Sequence, residues 1–245
     1  FAEGVGEVVA DMLDARFLAG LRANTSDDHT KDVWEYGGRW AQLEDHGTTH
    51  ISVVDRYGNA AAVTSTVNTL FGSKVLDPTT GIVLNNEMDD FSTPGASNAF
   101  GLAPSEANYI APGKRPLSSM SPTIVCRQDG TLRVVAGASG GPRIITATAQ
   151  VLLHTLLGMP LLEAVHTPRV HSQLLPNFAY VEDAPILSGP DIVLGPALVS
   201  ALEQRGHHTA ALDYLGTCQA VARDPDTGHL TAVSDPRKDG RPAAE

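Results

Sequence analysis

Two alternating runs, set back to back, restrict the folds open to this chain more than any other feature of it. Residues 48–55 place Thr49, Ile51 and Val53 on one face and Thr48, His50 and Ser52 on the other. Residues 60–68 place Ala62, Thr64, Thr66 and Asn68 opposite Val63, Ser65 and Val67. A period of two belongs to strands, and the intervening Arg56-Tyr57-Gly58-Asn59 is a turn signal, so the runs read as a β-hairpin with one polar face. Further strands are expected at 123–126 and 132–136, around Asp129-Gly130, and at 217–223 and 229–233, across Pro225-Asp226-Thr227-Gly228. Antiparallel pairs with helices grouped between them predict an α+β layered sandwich, not an alternating parallel α/β fold.

The helical signals are fewer. Val8, Val9, Met12, Leu13, Phe17, Leu18 and Leu21 fall at helical spacing, which predicts one amphipathic helix over 4–22 with Asn24 as its stop. Residues 25–47 lose this pattern and read as an extended, exposed segment open to cutting. Pro142 suits the first position of a helix over 143–157, and a later helix over 191–205 ends at Gly206. Residues 92–117 form a loop of a length that is uncommon without a function.

Composition serves mainly to exclude. A net charge of −11 without clustered Lys and Arg argues against a nucleic-acid partner, because phosphate binding requires concentrated positive charge. There is no apolar run of the ~20 residues needed to span a bilayer. Cys126 and Cys218 are far apart and lack metal-ligand spacing, and they read as two buried free thiols. His46, His50, His166 and His171 likewise lack ligand spacing and read as structural or surface residues, so no metal is implied. The chain begins at Phe1 without a leader, so it is expected to be the later part of a longer precursor, with any targeting signal upstream. Asn24-Thr25-Ser26 fits a glycosylation sequon, which has meaning only in a secreted protein.

Gly47-Thr48-Thr49-His50, at the start of the first strand, carries the first chemical signal. A threonine that becomes N-terminal combines a hydroxyl nucleophile with its own α-amine, whose reference pKa of about 7.7 to 8.0 lets it accept the hydroxyl proton near neutrality. Gly47 tolerates the backbone strain of attack on its carbonyl. Asn68, Glu87 and Asp90 offer one amide and two carboxylates, a set suited to gripping an ammonium group. Gly140-Gly141 ahead of a helix leaves backbone N–H groups where negative charge is favoured. Each feature also has an ordinary structural reading: a β-forming threonine, an acidic turn, a glycine turn.

In combination, the motifs resemble gamma-glutamyltranspeptidases. They are Thr48-Thr49-His50, Thr64-Ser65-Thr66-Val67-Asn68, residues 81–91 (GIVLNNEMDDF), residues 112–123 (PGKRPLSSMSPT) and Gly137-Ala138-Ser139-Gly140-Gly141. Pro168-Arg169, Leu174-Leu175-Pro176-Asn177 and Ser234-Asp235-Pro236-Arg237 match as well. The resemblance implies the four-layer αββα sandwich of N-terminal-nucleophile hydrolases, of which this chain supplies part. It implies that residues 1–47 are the tail of the family's large subunit and 48–245 the small catalytic subunit, parted by autocatalytic cleavage at Gly47-Thr48.

By the same resemblance Thr48 attacks, Thr66 holds it, and Gly140 and Gly141 form the oxyanion hole. Asn68, Glu87 and Asp90 bind the donor's α-amine, and Ser118 and Ser119 its α-carboxylate, alongside an arginine from the upstream large subunit. The donor is glutathione or another γ-glutamyl compound, the acceptor an amino acid, a dipeptide or water, and no cofactor is implied. The implied setting is secreted, periplasmic, vacuolar or membrane-anchored facing outside. Two alternatives stay open: a cephalosporin-acylase-like amidase, which dispenses with α-amine recognition, and a homologue that never matures and serves as a structural or binding partner.

Overall fold

The computed structural model describes residues 5–36, 48–95, 104–187 and 189–244. In chain order the elements are α1 (Val5–Leu13), α2 (Ala15–Asn24), β1 (Thr48–Val54), β2 (Ala60–Thr66), β3 (Thr123–Cys126) and β4 (Leu132–Ser139). They continue with α3 (Arg143–Leu156), α4 (Leu161–His166), β5 (Val170–His171), β6 (Ala179–Ala184), β7 (Ile192–Val193), α5 (Pro196–Gln204), β8 (Thr209–Leu212), β9 (Thr217–Arg223) and β10 (Leu230–Val233).

A four-stranded antiparallel sheet in the order β10-β9-β4-β3 is the centre of the molecule. Both faces of β4 are covered, which explains why its sequence is nearly free of polar residues. Val134, Ala136 and Ala138 face α3 and α4 and form one core with Ile144, Ala147, Val151, Leu161, Val165 and Cys218. The β1-β2 hairpin lies against the opposite face, where the His50 ring rests on Gly137 so closely that a Cβ there would overlap the imidazole. Ser52 Oγ donates to the Gln219 carbonyl at 3.0 Å and fastens the hairpin to β9. Helices, sheet and hairpin are thus three successive layers. A smaller sheet, β5-β6-β7 with β8 beside β6, is linked to the segment after β10 by the Glu182–Arg237 ion pair.

The hairpin is inverted relative to an ordinary amphipathic ribbon. Thr48 and His50 point inward and are buried, whereas Ile51, Val53 and Val63 face outward at 57%, 47% and 51% exposure. The polar face read from the sequence is therefore the inner one, and the apolar face is left uncovered by the described residues.

Several expectations need correction. The helix expected over 4–22 is two helices that break at Asp14, whose carboxylate accepts from the Arg16 N–H at 2.8 Å and caps α2. The helix expected from 191 starts at Pro196, because Ile192 and Val193 pair instead with β6. The sheets are not wholly antiparallel, since β6 and β8 run parallel. Pro142 occupies the cap position, one residue before the helix. Cys218 is buried, but Cys126 is exposed where β3 forms the sheet edge, so only one of the two free thiols sits in the core.

Candidate active site

The register of the hairpin builds the site. Thr48 and Thr66 are direct cross-strand partners, so their side chains share the inward face at the mouth of the hairpin. Thr48 is 5% exposed, and its hydroxyl donates to Thr66 Oγ1 at 3.2 Å. Thr66 Oγ1 also accepts the Asn68 N–H at 2.8 Å. Lys238 Nζ donates to the Thr48 carbonyl at 3.2 Å, adding a positive charge beside the first residue of the strand. Gly47 and His46 lie outside the described residues.

Asn68 ends the hairpin in a left-handed conformation, φ 73°, which an asparagine tolerates better than most residues. Its buried amide donates to the Asn86 carbonyl at 3.1 Å, while Asn86 Oδ1 accepts from the Thr69 N–H and hydroxyl. These bonds hold the short 3-10 helix Glu87–Asp90 against the hairpin end and bring Asn68 close to the acidic pair. Glu87 Oε2 is a buried acceptor without a hydrogen-bond donor among the described residues, an arrangement that favours an incoming cationic group.

Ser118 and Ser119 join this cluster through a residue that the sequence reading overlooked. Asn108 is 6% exposed, and its side-chain amide donates to the Asp90 carbonyl at 2.7 Å. Its Oδ1 accepts the Leu117 N–H at 2.8 Å. One buried amide therefore spaces the Glu87–Asp90 turn against the serine pair. Its sequence signal was an asparagine within an unusually long loop of small and polar residues. Ser118 is exposed, with its Oγ accepting from the Met120 N–H at 3.2 Å, and Ser119 is half-buried.

At the end of β4 the chain turns through Gly140 and Gly141, with φ values of 130° and 61°, before entering α3. A Cβ on Gly140 would lie 2.9 Å from the Gly216 Cα and 3.1 Å from the Tyr214 ring, so both conformation and space require glycine. No hydrogen bond among the described residues engages the Gly140 or Gly141 N–H. Paired N–H groups of this kind can receive a developing oxyanion.

A second group missed in the sequence lies behind this turn. Arg169 Nη2 meets Asp235 Oδ2 at 2.7 Å, and Arg237 bridges Asp235 Oδ1 at 3.0 Å and both Glu182 oxygens at 2.6 Å, all with side chains at most 2% exposed. Burial pushes the Asp235 carboxyl upward, but the Arg169 and Arg237 charges outweigh it and hold it below the usual carboxylate range. Arg169 also donates to the Gly216 carbonyl, and Asp235 Oδ2 accepts the Cys218 N–H. Arg169, Asp235 and Arg237 belong to motifs noted in the sequence and Glu182 to none, and contacts across 55 to 66 residues of chain were not visible there.

His50 is structural, as its lack of ligand spacing implied. Its ring touches Thr64 Oγ1 at 2.7 Å and Ser52 Oγ at 3.1 Å, and burial lowers its pKa from 6.5 to about 4. The folded state therefore binds fewer protons than the unfolded chain between these values, and stability is fully present above about pH 6.5 and lost as pH falls toward 4. A loss on the order of 1–3 kcal/mol is expected. Thermal unfolding from pH 7 to 4.5 tests this, since His50→Gln should flatten part of the decline; an identical slope in the variant would show that His50 does not drive it.

A strand opening on a buried threonine, locked to a second threonine and stacked on a sheet that ends in a glycine turn, defines an N-terminal-nucleophile hydrolase fold. The chain belongs to the gamma-glutamyltranspeptidase family, whose model matches residues 1–245. Glutathione hydrolase 2 of Arabidopsis thaliana is 43% identical across 99% of this chain and 43% of its own length. Putative inactive glutathione hydrolase 4 of the same plant is 49% identical across 73% of this chain and 95% of its own length. Gamma-glutamyltranspeptidase from Pseudomonas nitroreducens complexed with L-DON superposes with a TM-score of 0.68 at 41% identity, covering 80% of this chain and 99% of that one. The chain spans under half the length of several curated relatives that it matches, between 28% and 43%.

Proposed function

We propose that this chain carries the catalytic part of a glutathione hydrolase that transfers or hydrolyses γ-glutamyl groups through an ester on Thr48. The observation that supports it most is the buried Thr48 hydroxyl, oriented by Thr66 at the first residue of β1. In this reading residues 1–47 are the tail of the large subunit and 48–245 the small one. Cutting the Gly47-Thr48 bond frees the α-amine. Thr48 Oγ1 then bonds to the γ-carbonyl carbon while its proton passes to that amine. The carbonyl oxygen takes up negative charge against the Gly140 and Gly141 N–H groups, and the C–N bond breaks as the leaving amine receives the proton. Water, an amino acid or a dipeptide then attacks the ester and regenerates the hydroxyl.

Asn68, Glu87 and Asp90 receive the donor's α-ammonium, and Ser118 and Ser119 its α-carboxylate together with an arginine from the upstream segment. The uncovered apolar face of the hairpin fits the same division, because the upstream part supplies the layer that closes it. The cephalosporin-acylase-like reading has no use for the carboxylates poised near Asn68. The name of the putative inactive relative brings the non-maturing reading to this chain. N-terminal sequencing of the purified full-length product separates the enzyme from the non-maturing homologue. A second chain beginning at Thr48 supports the enzyme, and a single uncut chain overturns it.

Replacing Asp90 with alanine should raise the donor KM by about tenfold to a hundredfold, the loss of one charge-assisted hydrogen bond, and leave self-cleavage near normal. Steady-state kinetics with a γ-glutamyl anilide beside a gel of the processed chains checks it. Unchanged donor kinetics with failed maturation would contradict the binding role.

A further inference from the structure

We infer that Tyr214 is a positioning residue for the oxyanion-binding turn, its phenol fixing the Ser139 carbonyl so that the Gly140 N–H keeps its direction. This rests on the assignment of Gly140 to the oxyanion hole proposed above. Tyr214 belongs to none of the motifs read from the sequence. It lies between β8 and β9, at the corner facing the end of β4. Its hydroxyl donates to the Ser139 carbonyl at 3.1 Å and accepts from Thr217 Oγ1 at 3.1 Å, so the phenolic proton has a defined direction. Thr217, the donor in this relay, is 1% exposed.

Ser139 C=O and Gly140 N–H belong to one peptide plane, and in a trans peptide they point in opposite directions. Holding the carbonyl on Tyr214 therefore directs the amide away from Tyr214. The restraint matters because Gly140, at φ 130°, stands where glycine has a broad range of accessible backbone angles and nothing intrinsic keeps the peptide in one orientation. The Tyr214 ring also walls off the pro-side-chain position of Gly140, together with Gly216, which Arg169 anchors through its carbonyl. A preorganised donor stabilises the tetrahedral anion more than the planar ground state, so the effect belongs in kcat.

The test uses the full-length processed protein and Tyr214→Phe, which keeps the ring and removes one hydroxyl. Expected is a fall in kcat of about three- to tenfold, the range for one neutral hydrogen bond, with KM within about twofold. Inhibition by a boronic acid bearing the glutamate headgroup, which forms a tetrahedral anion on a hydroxyl nucleophile, should weaken by the same factor, while product glutamate binds as before. Hydrogen exchange in the peptide spanning residues 136–143 should accelerate. Should Tyr214→Phe fold poorly, Thr217→Val, which removes the relay's donor and leaves the ring, should show the same split at smaller size. Unchanged kcat and boronate affinity overturn the inference, as does an equal loss of boronate and glutamate binding. If the parent protein neither turns over donors nor binds the boronate, the Thr48 reading fails, and the exchange rates alone decide the role of Tyr214.

Discussion

Thr48→Ala is expected to leave the full-length precursor as one uncut chain and to lower γ-glutamyl turnover by at least about 10³-fold, because the same hydroxyl performs both bond-breaking steps. The fold should survive. The substitution removes the hydroxyl that donates to Thr66 and vacates little space, a loss of about 1 kcal/mol. Thr66 Oγ1 keeps the Asn68 N–H as a donor, so the hairpin end stays anchored. Thr48→Ser should retain part of both activities. Mass spectrometry of the purified chains and a γ-glutamyl anilide assay check the result. Normal cleavage and release in Thr48→Ala would remove Thr48 as the nucleophile and point to Thr49, which the register places on the outer face of β1.

The second large effect is on stability. Asp235→Ala should cost about 3–5 kcal/mol, because it leaves the buried Arg169 guanidinium without its carboxylate and takes from Arg237 one of its two, Glu182 remaining. For a chain of this size that corresponds to a fall in Tm of about 6–20 °C. Asp235 Oδ2 also accepts the Cys218 N–H, so the start of β9 loosens together with the ion pairs. Since Arg169 holds the Gly216 carbonyl and Gly216 packs on Gly140, activity should fall even below the new Tm. Calorimetry of the parent and variant proteins measures the first effect. A Tm within about 2 °C of the parent would show that the network is solvated or dispensable. Removing one partner is the informative change, because replacing a whole buried ion cluster by apolar residues can be neutral.

The inverted hairpin shows where sequence patterning stops. Alternation in residues 48–68 correctly separated the polar face from the apolar one. Ordinary burial preference would turn Ile51, Val53 and Val63 inward. In the structure these face out and the hydroxyls face in, because Thr48 bonds to Thr66, and His50 bonds to Thr64 and to Ser52, which bonds in turn to β9, while the apolar side is left uncovered by the described residues. A two-residue period assigns residues to faces but does not say which face is covered.

What the sequence determined by itself was local or carried by motif: the hairpin, the β3-β4 and β9-β10 pairs and the helix after Gly141, together with the residues proposed to attack, bind an ammonium and receive an oxyanion. Such features depend on neighbours a few positions apart, where periodicity and turn chemistry act directly. The tertiary structure alone decided that Asn108 spaces Asp90 from Leu117, that Tyr214 holds Ser139, and that Arg169, Asp235, Arg237 and Glu182 form one buried network. It also broke the first helix at Asp14 and set β8 parallel to β6. Those contacts join residues remote in the chain, and their energies come from desolvation and geometry that exist only after the layers have packed.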